Sequence, residues 1–366
     1  MKKVVYFNQW FSSITEVIED LKSKHGNKIE FITSSKNPNH AYKTVVDKFI
    51  VEDWEEVPGD EEASMENYFN FIEKLCKTYN VDIFFAKKYA EYLATKKFEL
   101  SMLGVFTILE PSERLCRFDS KVEVYDTLKE VEGLKDFIPE YFKICGSNCE
   151  SIEKAIEFFT SYKNEEIDKK WCLKRDKDEG GASFRSINNK SFTYKSLDWF
   201  RVNECKTDEV LELIKDDPDN AKKLIFMELL DNPEISVDCY NSKNGFIALC
   251  RAKGKDRVQR IFFDKKLYDA CYKIWETYRF QFPFNVQFRV EKGKTIEDEK
   301  ALKLLEINPR MSGGTYYSTL FDMNIAEAVL LDMVNHNEDY DIAKFINFDD
   351  KLVTHVEKAV KVSNYE

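Results

Sequence analysis

The chain has 366 residues, of which 43% are hydrophobic, so it is long enough for two or three domains with buried cores. Its 66 acidic and 55 basic residues leave a net charge of −11, which argues against a nucleic-acid binder or a protein of anionic membranes. No stretch approaches the roughly 18 apolar residues of a membrane-spanning helix, and the N-terminal apolar run is too short for a signal peptide.

Nine cysteines are scattered along the chain, an odd number with one close pair, Cys145 and Cys149. This pattern favours reduced, buried thiols in a cytoplasmic protein over a disulfide framework or a metal site.

The first third of the chain alternates short apolar strands with amphipathic helices. Strands are predicted at 4–7, 28–33, 48–52, 81–86 and 103–109, and helices at 12–24, 64–79 and 88–100. Ser13 and Glu16 have the spacing of a capping box. The order predicts a parallel α/β layer. The turn after the first strand lacks G-x-G-x-x-G, which disfavours an NAD-type oxidoreductase.

Two lysines in the middle of the chain stand next to predicted element ends. Asp119 or Ser120 is the expected N-cap of a helix that begins at Lys121, where a cation faces an unfavourable macrodipole unless an anion binds there. An exposed surface lysine is the alternative. Lys174 lies near the end of a strand at 171–175 that leads into a glycine-containing loop, which alone would be an ordinary hairpin turn.

Two further charged residues interrupt predicted strands. Glu228 breaks an apolar run, so a buried carboxylate would need a hydrogen-bond donor, such as an adenine amino group or a ribose hydroxyl. A fraying strand end is the alternative. Arg251 precedes a basic turn, where it would reach phosphates or an acidic substrate, or simply face solvent.

The segment 284–324 carries the most specific pattern. Period-two alternation at 284–290 puts Gln287 on a polar face, and the next strand puts Leu305 and Ile307 inward with Glu306 and Asn308 outward. The charged link between the strands suits neighbouring strands of a hairpin. Oxygen-bearing side chains on adjoining strands could flank two hard cations about 3.5–4 Å apart, although ordinary surface polar residues would give the same alternation.

The string E-I-N-P-R-x-S-G-G from Glu306, the upstream Gln287 and the E-x5-E-x3-D spacing at 228–238 resemble the ATP-grasp superfamily, specifically its carbamoyl-phosphate synthase and biotin-carboxylase-like branch. The resemblance runs over about residues 1–334. It implies an α/β fold, α+β in the nucleotide clamp, with a Rossmann-like pre-ATP-grasp domain at 1–118. The ATP-grasp domain would span 119–334, with the smaller clamping subdomain at about 140–230, and 335–366 would be a C-terminal extension.

The resemblance also implies roles for individual residues. Arg310 would steady the carboxylate or acyl phosphate, and Gln287, Glu306 and Asn308 would bind two Mg²⁺ ions, with Mn²⁺ as an alternative. The expected ATP contacts are Lys121 and Lys174 at the phosphates, Gly180, Gly181 and Ser183 in a flap, Glu228 with the backbone of Leu229 and Leu230 at adenine, and Glu234 at the ribose. Two positions depart from the family: Gln287 stands where many relatives have Asp or Glu, and Arg175 where proline is usual.

The implied activity is ATP-dependent ligation of a carboxylate to an amine through an acyl phosphate, releasing ADP and phosphate. Small-molecule carboxylates and amines, among them amino acids or a peptide, are the expected substrates, in a cytoplasmic protein that acts alone or as a homodimer, without nucleic acid or membrane partners. A nucleotide-binding partner protein with little turnover is the alternative. Glu306→Ala is expected to abolish ATP turnover and to leave the fold intact.

Overall fold

The structure is a computed structural model that describes residues 2–8, 13–164, 170–177, 183–187, 204–254, 258–334, 340–346, 348–355 and 359–362. The chain divides into two compact units. Unit 1 comprises Met1–Cys116, Ser236–Val286 and Asn308–Glu366, and unit 2 comprises Arg117–Ile235 and Gln287–Ile307.

The N-terminal part of unit 1 is the predicted parallel α/β layer. Its strands are β1 (Lys3–Phe7), β2 (Ile29–Ser35), β3 (Lys48–Val51), β4 (Ile83–Phe85) and β5 (Phe106–Ile108). They pair in parallel in the order β3-β2-β1-β4-β5. The accompanying helices are α1 (Ile14–His25), α2 (Glu61–Tyr79), α3 (Ala90–Thr95), α4 (Lys97–Met102) and α5 (Ser112–Asp119).

Helix α1 buries the apolar stripe that its sequence predicts: Ile14, Val17, Ile18 and Leu21. The predicted capping box is wrong. Ser13 has helical dihedral angles, and its hydroxyl donates a hydrogen bond to the carbonyl of Gly313 at 2.5 Å instead of accepting one from the first turn. A tertiary partner has replaced the local one.

Unit 2 is built on a second five-stranded sheet in the order β6-β10-β7-β8-β9. Its elements are α6 (Lys121–Leu128), β6 (Tyr141–Phe142), α7 (Ile152–Asn164), β7 (Trp171–Arg175), β8 (Arg185–Ile187), β9 (Glu204–Cys205), α8 (Thr207–Asp216), α9 (Pro218–Ala221) and β10 (Leu224–Glu228). Phe159, Val210 and Phe226 belong to one buried apolar cluster, which joins both longer helices to the sheet.

The third sheet has six strands in the order β15-β14-β11-β12-β13-β16. The remaining elements are β11 (Asp231–Ser242), β12 (Gly245–Lys253), β13 (Val258–Phe262), α10 (Lys265–Tyr278), β14 (Phe284–Val290), β15 (Leu302–Asn308), α11 (Tyr316–Thr319), α12 (Ile325–Val334) and β16 (Lys351–Thr354). The predicted bounds of β14 agree with the structure, and β14 and β15 are neighbours, as the charged link indicated.

The described parts of the C-terminal segment pack into unit 1. Strand β16 pairs antiparallel with β13, and Tyr340 and Phe345 are buried in the same apolar cluster as α1 and α12. Contacts therefore group this segment with the N-terminal layer. The predicted division at 118 and 334 follows chain order, whereas the compact units interleave distant segments; the functional partition stays a prediction.

The cysteines are unpaired, as expected, but not uniformly buried. All nine are free thiols. Cys116 and Cys145 are exposed, so the expectation of burial is wrong for these two. Among the helices that the structure describes, none combines the length and the apolar character needed to cross a bilayer.

Replacing Phe345 by alanine is expected to destabilise the protein by about 3–5 kcal/mol, because a fully buried ring would leave a cavity in the core of unit 1. Chemical denaturation followed by circular dichroism measures the effect. Leu352→Ala, whose side chain on β16 is 72% exposed, is the matched control and should change stability by no more than about 0.5 kcal/mol. Equal stability of both variants would show that the tail does not contribute to the core.

Candidate functional site

A buried, unpaired cation marks the centre of unit 2. Lys174 on β7 is only 7% exposed, and no described residue accepts a hydrogen bond from its ammonium group. Burial, followed by the charge of nearby Lys121, lowers the pKa of Lys174 to about 8. The charge of Glu306 raises the pKa of Lys174, and the charge of Arg289 lowers it. The three cations and Glu306 thus lie within electrostatic range of one another, in a region that a bound anion would stabilise.

Lys121 is buried rather than a surface lysine, and its helix end is already satisfied. Ser120 is the N-cap and accepts a hydrogen bond from the backbone N–H of Glu123 at 3.2 Å. The anion at this helix terminus is the chain's own Asp176, which accepts hydrogen bonds from Val122 N–H at 3.0 Å and Ser120 Oγ at 2.9 Å. An ion at the N-terminus of α6 is therefore not needed to explain a lysine there.

Asp176 itself is held by three donors, the third being Lys143 Nζ at 2.8 Å. Burial raises the pKa of Asp176, but the hydrogen bonds from Lys143, Val122 and Ser120 outweigh it and hold the pKa below its usual range. Because Asp176 directly follows β7, these bonds fasten the end of β7 to the start of α6. Sequence reasoning missed this residue, since its partners lie more than 30 positions away.

Tyr125 connects the same helix to β15. Its fully buried hydroxyl lies 3.1 Å from the carbonyl of Leu304 and 2.8 Å from that of Leu305, directly before Glu306. Burial and the charge of Glu306 raise the pKa of this hydroxyl, so it remains a donor. The Tyr125 side chain therefore links the helix that begins at Lys121 to the strand that carries Glu306.

The predicted ribose contact, Glu234, forms an ion pair with Arg289 at 3.0 Å. Arg289 stands two positions after Gln287 on β14, on the same strand face. Its Nε is buried and has no hydrogen-bond partner among the described residues. The sequence analysis gave Arg289 no role, although a cation two residues from a predicted metal ligand was a usable signal.

Glu228 is buried at the end of β10, so it is not an exposed strand end. Its carboxylate accepts a hydrogen bond from the backbone N–H of Glu140 at 2.9 Å, and its own N–H donates to the carbonyl of Glu140. The backbone N–H of Glu140 thus supplies at least one of the hydrogen bonds that the buried Glu228 carboxylate requires. The N–H of Leu229 donates to Lys170, so a base contact at the hinge would fall to the Leu229 carbonyl or the backbone of Leu230.

The predicted flap is described only at its far end. Gly180 and Gly181 lie outside the described residues. The Ser183 hydroxyl accepts a hydrogen bond from the backbone N–H of Arg175 at 2.8 Å, which closes the loop at the end of β7.

The predicted metal ligands lie on β14 and β15. Gln287 and Glu306, both in unit 2, are half-buried on these adjacent strands, and Asn308 follows Glu306 by two residues, at the start of a segment of unit 1. On β14 the expected alternation holds at Gln287 and Arg289 but is wrong at Asn285, which is buried. On β15 it is wrong at Leu305, which is half-buried while Leu304 is buried. One carboxylate and two amides give hard oxygen donors suited to Mg²⁺. The described residues contain no group of three or more His, Cys, Asp or Glu side chains arranged for a metal.

Arg251 in unit 1 is buried instead of facing solvent. It is 5% exposed, and its guanidinium donates to Gln259 Oε1 at 2.7 Å, Ser312 Oγ at 3.0 Å and Ser236 Oγ at 3.1 Å. Asp238 lies 3.9 Å away and accepts from Ser312 Oγ at 3.0 Å. The solvent-facing alternative for Arg251 is therefore wrong, and a contact with phosphate or an acidic substrate stays a prediction. Its charge holds the loop after β15.

This loop, residues 308–315, carries Asn308 and Arg310 at its start. Asp238 also accepts from Asn285 Nδ2 at 2.9 Å, so strands β11, β12, β13 and β14 all contribute to the buried network under the loop. A Cβ on Gly314 would overlap the guanidinium of Arg251. The glycine is required by this close approach, and the sequence alone did not show what approaches it.

Gly314→Ala is expected to destabilise the protein by about 1–3 kcal/mol, because the added methyl group must displace a buried, fully bonded arginine. Thermal unfolding measures the change. Gly146→Ala, where a Cβ would make only ordinary contacts with Lys143, is the matched control and should stay within about 0.5 kcal/mol of the parent. Parent-like stability of Gly314→Ala would mean that the loop is not fixed by Arg251.

A family model described as "ATP-grasp in the biosynthetic pathway with Ter operon" matches residues 220–358. The matched range contains Glu228, Glu234, Gln287, Glu306 and Asn308. No curated protein is similar enough in sequence to count as a match.

Solved structures share the fold at low sequence identity. The biotin carboxylase domain of Hydrogenobacter thermophilus 2-oxoglutarate carboxylase, determined with MgADP and bicarbonate, has a TM-score of 0.64 at 12% identity, over 96% of this chain and 74% of its own. Campylobacter jejuni biotin carboxylase gives a TM-score of 0.63 at 13% identity, over 96% and 75%. Staphylococcus aureus N5-carboxyaminoimidazole synthetase, complexed with ADP, gives 0.57 at 13% identity, over 97% and 81%. The predicted resemblance is confirmed: this chain has the ATP-grasp fold, and its fold is similar to that of biotin carboxylases and N5-carboxyaminoimidazole synthetase.

Proposed function

We propose that this chain is an ATP-dependent ligase that joins a carboxylate to an amine through an acyl phosphate. The observation that carries the proposal is Lys174, a buried ammonium without a hydrogen-bond acceptor among the described residues, set beside Lys121 and Glu306. A buried unpaired cation is costly unless a ligand completes it. The ATP-grasp family match and the fold support a nucleoside triphosphate as that ligand.

The two lysines would bind the phosphates of ATP. Lys174 offers three N–H donors in a desolvated setting, where a charge-assisted hydrogen bond to a phosphate oxygen is stronger than in water. Lys121 is anchored through Asp176, so its position is fixed before the ligand arrives. Arg289 would supply a third cation at the nucleotide, with its unpaired Nε available to an acceptor atom.

Gln287, Glu306 and Asn308 would hold Mg²⁺, one or two ions, with Mn²⁺ as an alternative. When bound, the metal neutralises phosphate charge during transfer. The chain keeps Glu306 in place through Tyr125, which binds the two preceding carbonyls. As Gln287 is a neutral amide, the ion that it contacts is expected to bind less tightly than one held by two carboxylates.

The reaction would proceed in two balanced steps. A carboxylate oxygen attacks the γ-phosphorus, and the bond to the ADP oxygen breaks. An amine nitrogen then attacks the acyl carbon, inorganic phosphate leaves, and the nitrogen loses a proton. Arg310 would stabilise the carboxylate and the departing phosphate, and its loop is held by Arg251 and Ser312.

The finer predictions extend this proposal. Amino acids or a peptide would be the substrates, a homodimer would be the assembly, and the cytoplasm would be the compartment. Nine unpaired cysteines support a reducing location.

ATP affinity is expected to fall roughly tenfold between about pH 7 and about pH 9, because Lys174, whose pKa lies near 8, loses its charge over this range. Calorimetric titration with MgATP at each pH measures the dissociation constant. Lys174→Met should bind more weakly and lose most of this pH dependence. An identical pH profile in the parent and this variant would remove Lys174 from the phosphate site.

Glu306→Ala should abolish ATP turnover while circular dichroism and thermal unfolding stay close to the parent, because the side chain is half-buried and acts through a metal. Glu299→Ala, an exposed glutamate on the link between β14 and β15, should keep full activity. Full activity in Glu306→Ala would refute the metal assignment.

A screen of amino-acid pairs with MgATP, read out as ADP and phosphate release, tests the ligase activity itself. Release that requires both a carboxylate and an amine is the expected result. Tight ATP binding with no release for any pair would favour a nucleotide-binding partner protein.

A further inference from the structure

The carboxyl edge of the parallel sheet in unit 1 contains a polar cluster that the proposed ligase chemistry does not use. Ligands of open parallel sheets bind outside the carboxyl ends of the strands, where the strand order reverses. Here the reversal lies at β1, since β2 is on one side and β4 on the other. Asn8 follows β1, and its side-chain oxygen accepts hydrogen bonds from Lys87 N–H at 2.7 Å and Lys88 N–H at 3.3 Å, just after β4.

A buried carboxylate anchors the cluster. Glu52, directly after β3, accepts hydrogen bonds from Ser34 Oγ at 2.8 Å and from Trp54 Nε1 at 2.7 Å. Lys88 Nζ lies 3.5 Å from the same carboxylate, beyond the distance of a good hydrogen bond. Glu52 and Lys88 therefore form a long ion pair, which leaves part of the ammonium's hydrogen-bonding capacity unused.

The ammonium of Lys88 is enclosed by aromatic rings. It lies 4.5 Å from the ring centroid of Trp54, 4.9 Å from that of Tyr68 and 5.5 Å from that of Tyr89. Among the described residues Glu52 is its ion-pair partner, at 3.5 Å, and the donors of Nζ that do not point at Glu52 are available to a ligand. The side chain keeps 17% exposure, which leaves it reachable from solvent. Burial lowers the pKa of Lys88 although the charge of Glu52 raises it, and neighbouring Lys36 adds to the lowering.

Two further observations indicate a ligand. The hydroxyl of Tyr68 is fully buried beside Asn8 and Tyr6, yet it forms no hydrogen bond of good geometry with a described residue. Buried polar groups in native proteins are nearly always paired, so an unpaired hydroxyl beside an ammonium that forms only a long ion pair is unusual. Lys36 places a second cation 3.7 Å from the Trp54 ring centroid, on a side chain that is exposed to solvent.

We propose that this edge binds a small anionic molecule through its carboxylate or phosphate group, with Lys88 holding the anion and the rings of Trp54 and Tyr89 contacting the remainder. All of these residues belong to unit 1, whereas the nucleotide-binding lysines belong to unit 2. The inference does not depend on the proposed ligase activity.

Calorimetric titration of the full chain with inorganic phosphate, and separately with succinate, tests the site. Binding of at least one probe is expected, and Lys88→Met should weaken it by roughly tenfold or more, since one charge-assisted contact is lost. Lys88→Arg should retain it. Lys77→Met, an exposed lysine on α2, is the matched control and should bind like the parent. If Lys88→Met does not fold, Lys36→Met, at an exposed position, serves instead and should weaken binding of the probe about threefold.

The two probes distinguish the sources of the anion. Binding of succinate alone assigns a carboxylate ligand, and binding of phosphate alone assigns a phosphorylated one. Absence of binding for both probes at tens of millimolar overturns the proposal. Binding that is unchanged in Lys88→Met but lost in Lys174→Met also overturns it, because the anion would then occupy unit 2.

Discussion

The buried carboxylate of Asp176 is the constraint on which unit 2 depends. Three donors surround it, from Lys143, Ser120 and the backbone of Val122, and they keep it charged in spite of its burial. By joining the end of β7 to the start of α6, it brings Lys174 and Lys121 into one desolvated region. Burial lowers the pKa of Lys174, and repulsion from Lys121 lowers it further. The chain itself therefore holds the two lysines in place, and Lys174 has no hydrogen-bond acceptor among the described residues.

Arg251 has the equivalent role in unit 1. A buried guanidinium is stable only when its donors are used, and Gln259, Ser236 and Ser312 use them. As a consequence, only glycine fits at position 314, because a side chain there would overlap the guanidinium of Arg251. Both units thus apply the same physical rule: a buried charge with a full set of partners fixes a loop that carries functional residues.

The same rule separates structural charges from functional ones. Asp176, Asp238 and Arg251 have their hydrogen-bond partners inside the chain. Lys174 has no hydrogen-bond acceptor among the described residues, and Lys88 has there only a long ion pair with Glu52, at 3.5 Å. The pKa of each lysine is lowered chiefly by burial. A protein tolerates such a cation where a ligand completes it, which is why one of these lysines supports the nucleotide proposal and the other supports a second anion site.

Much of the candidate site could be predicted from local pattern. Alternation placed Gln287 on the polar face of β14, and helical periodicity gave α1 its buried stripe, because these signals arise from neighbours within a few residues. The partners of buried charges were out of reach of such reasoning. Ser120 and Asp176 are 56 positions apart, and Arg251 and Ser312 are 61 apart.

The sequence by itself determined the strands, most helix faces and the oxygen-bearing face that resembles an ATP-grasp metal site. Only the tertiary structure decided that Ser13 bonds to Gly313 instead of capping α1, that Arg251 is internal, and that the C-terminal segment completes a core. The reason is physical: backbone propensity and side-chain period act over a few residues, whereas the pairing of buried polar groups is settled when distant segments pack together.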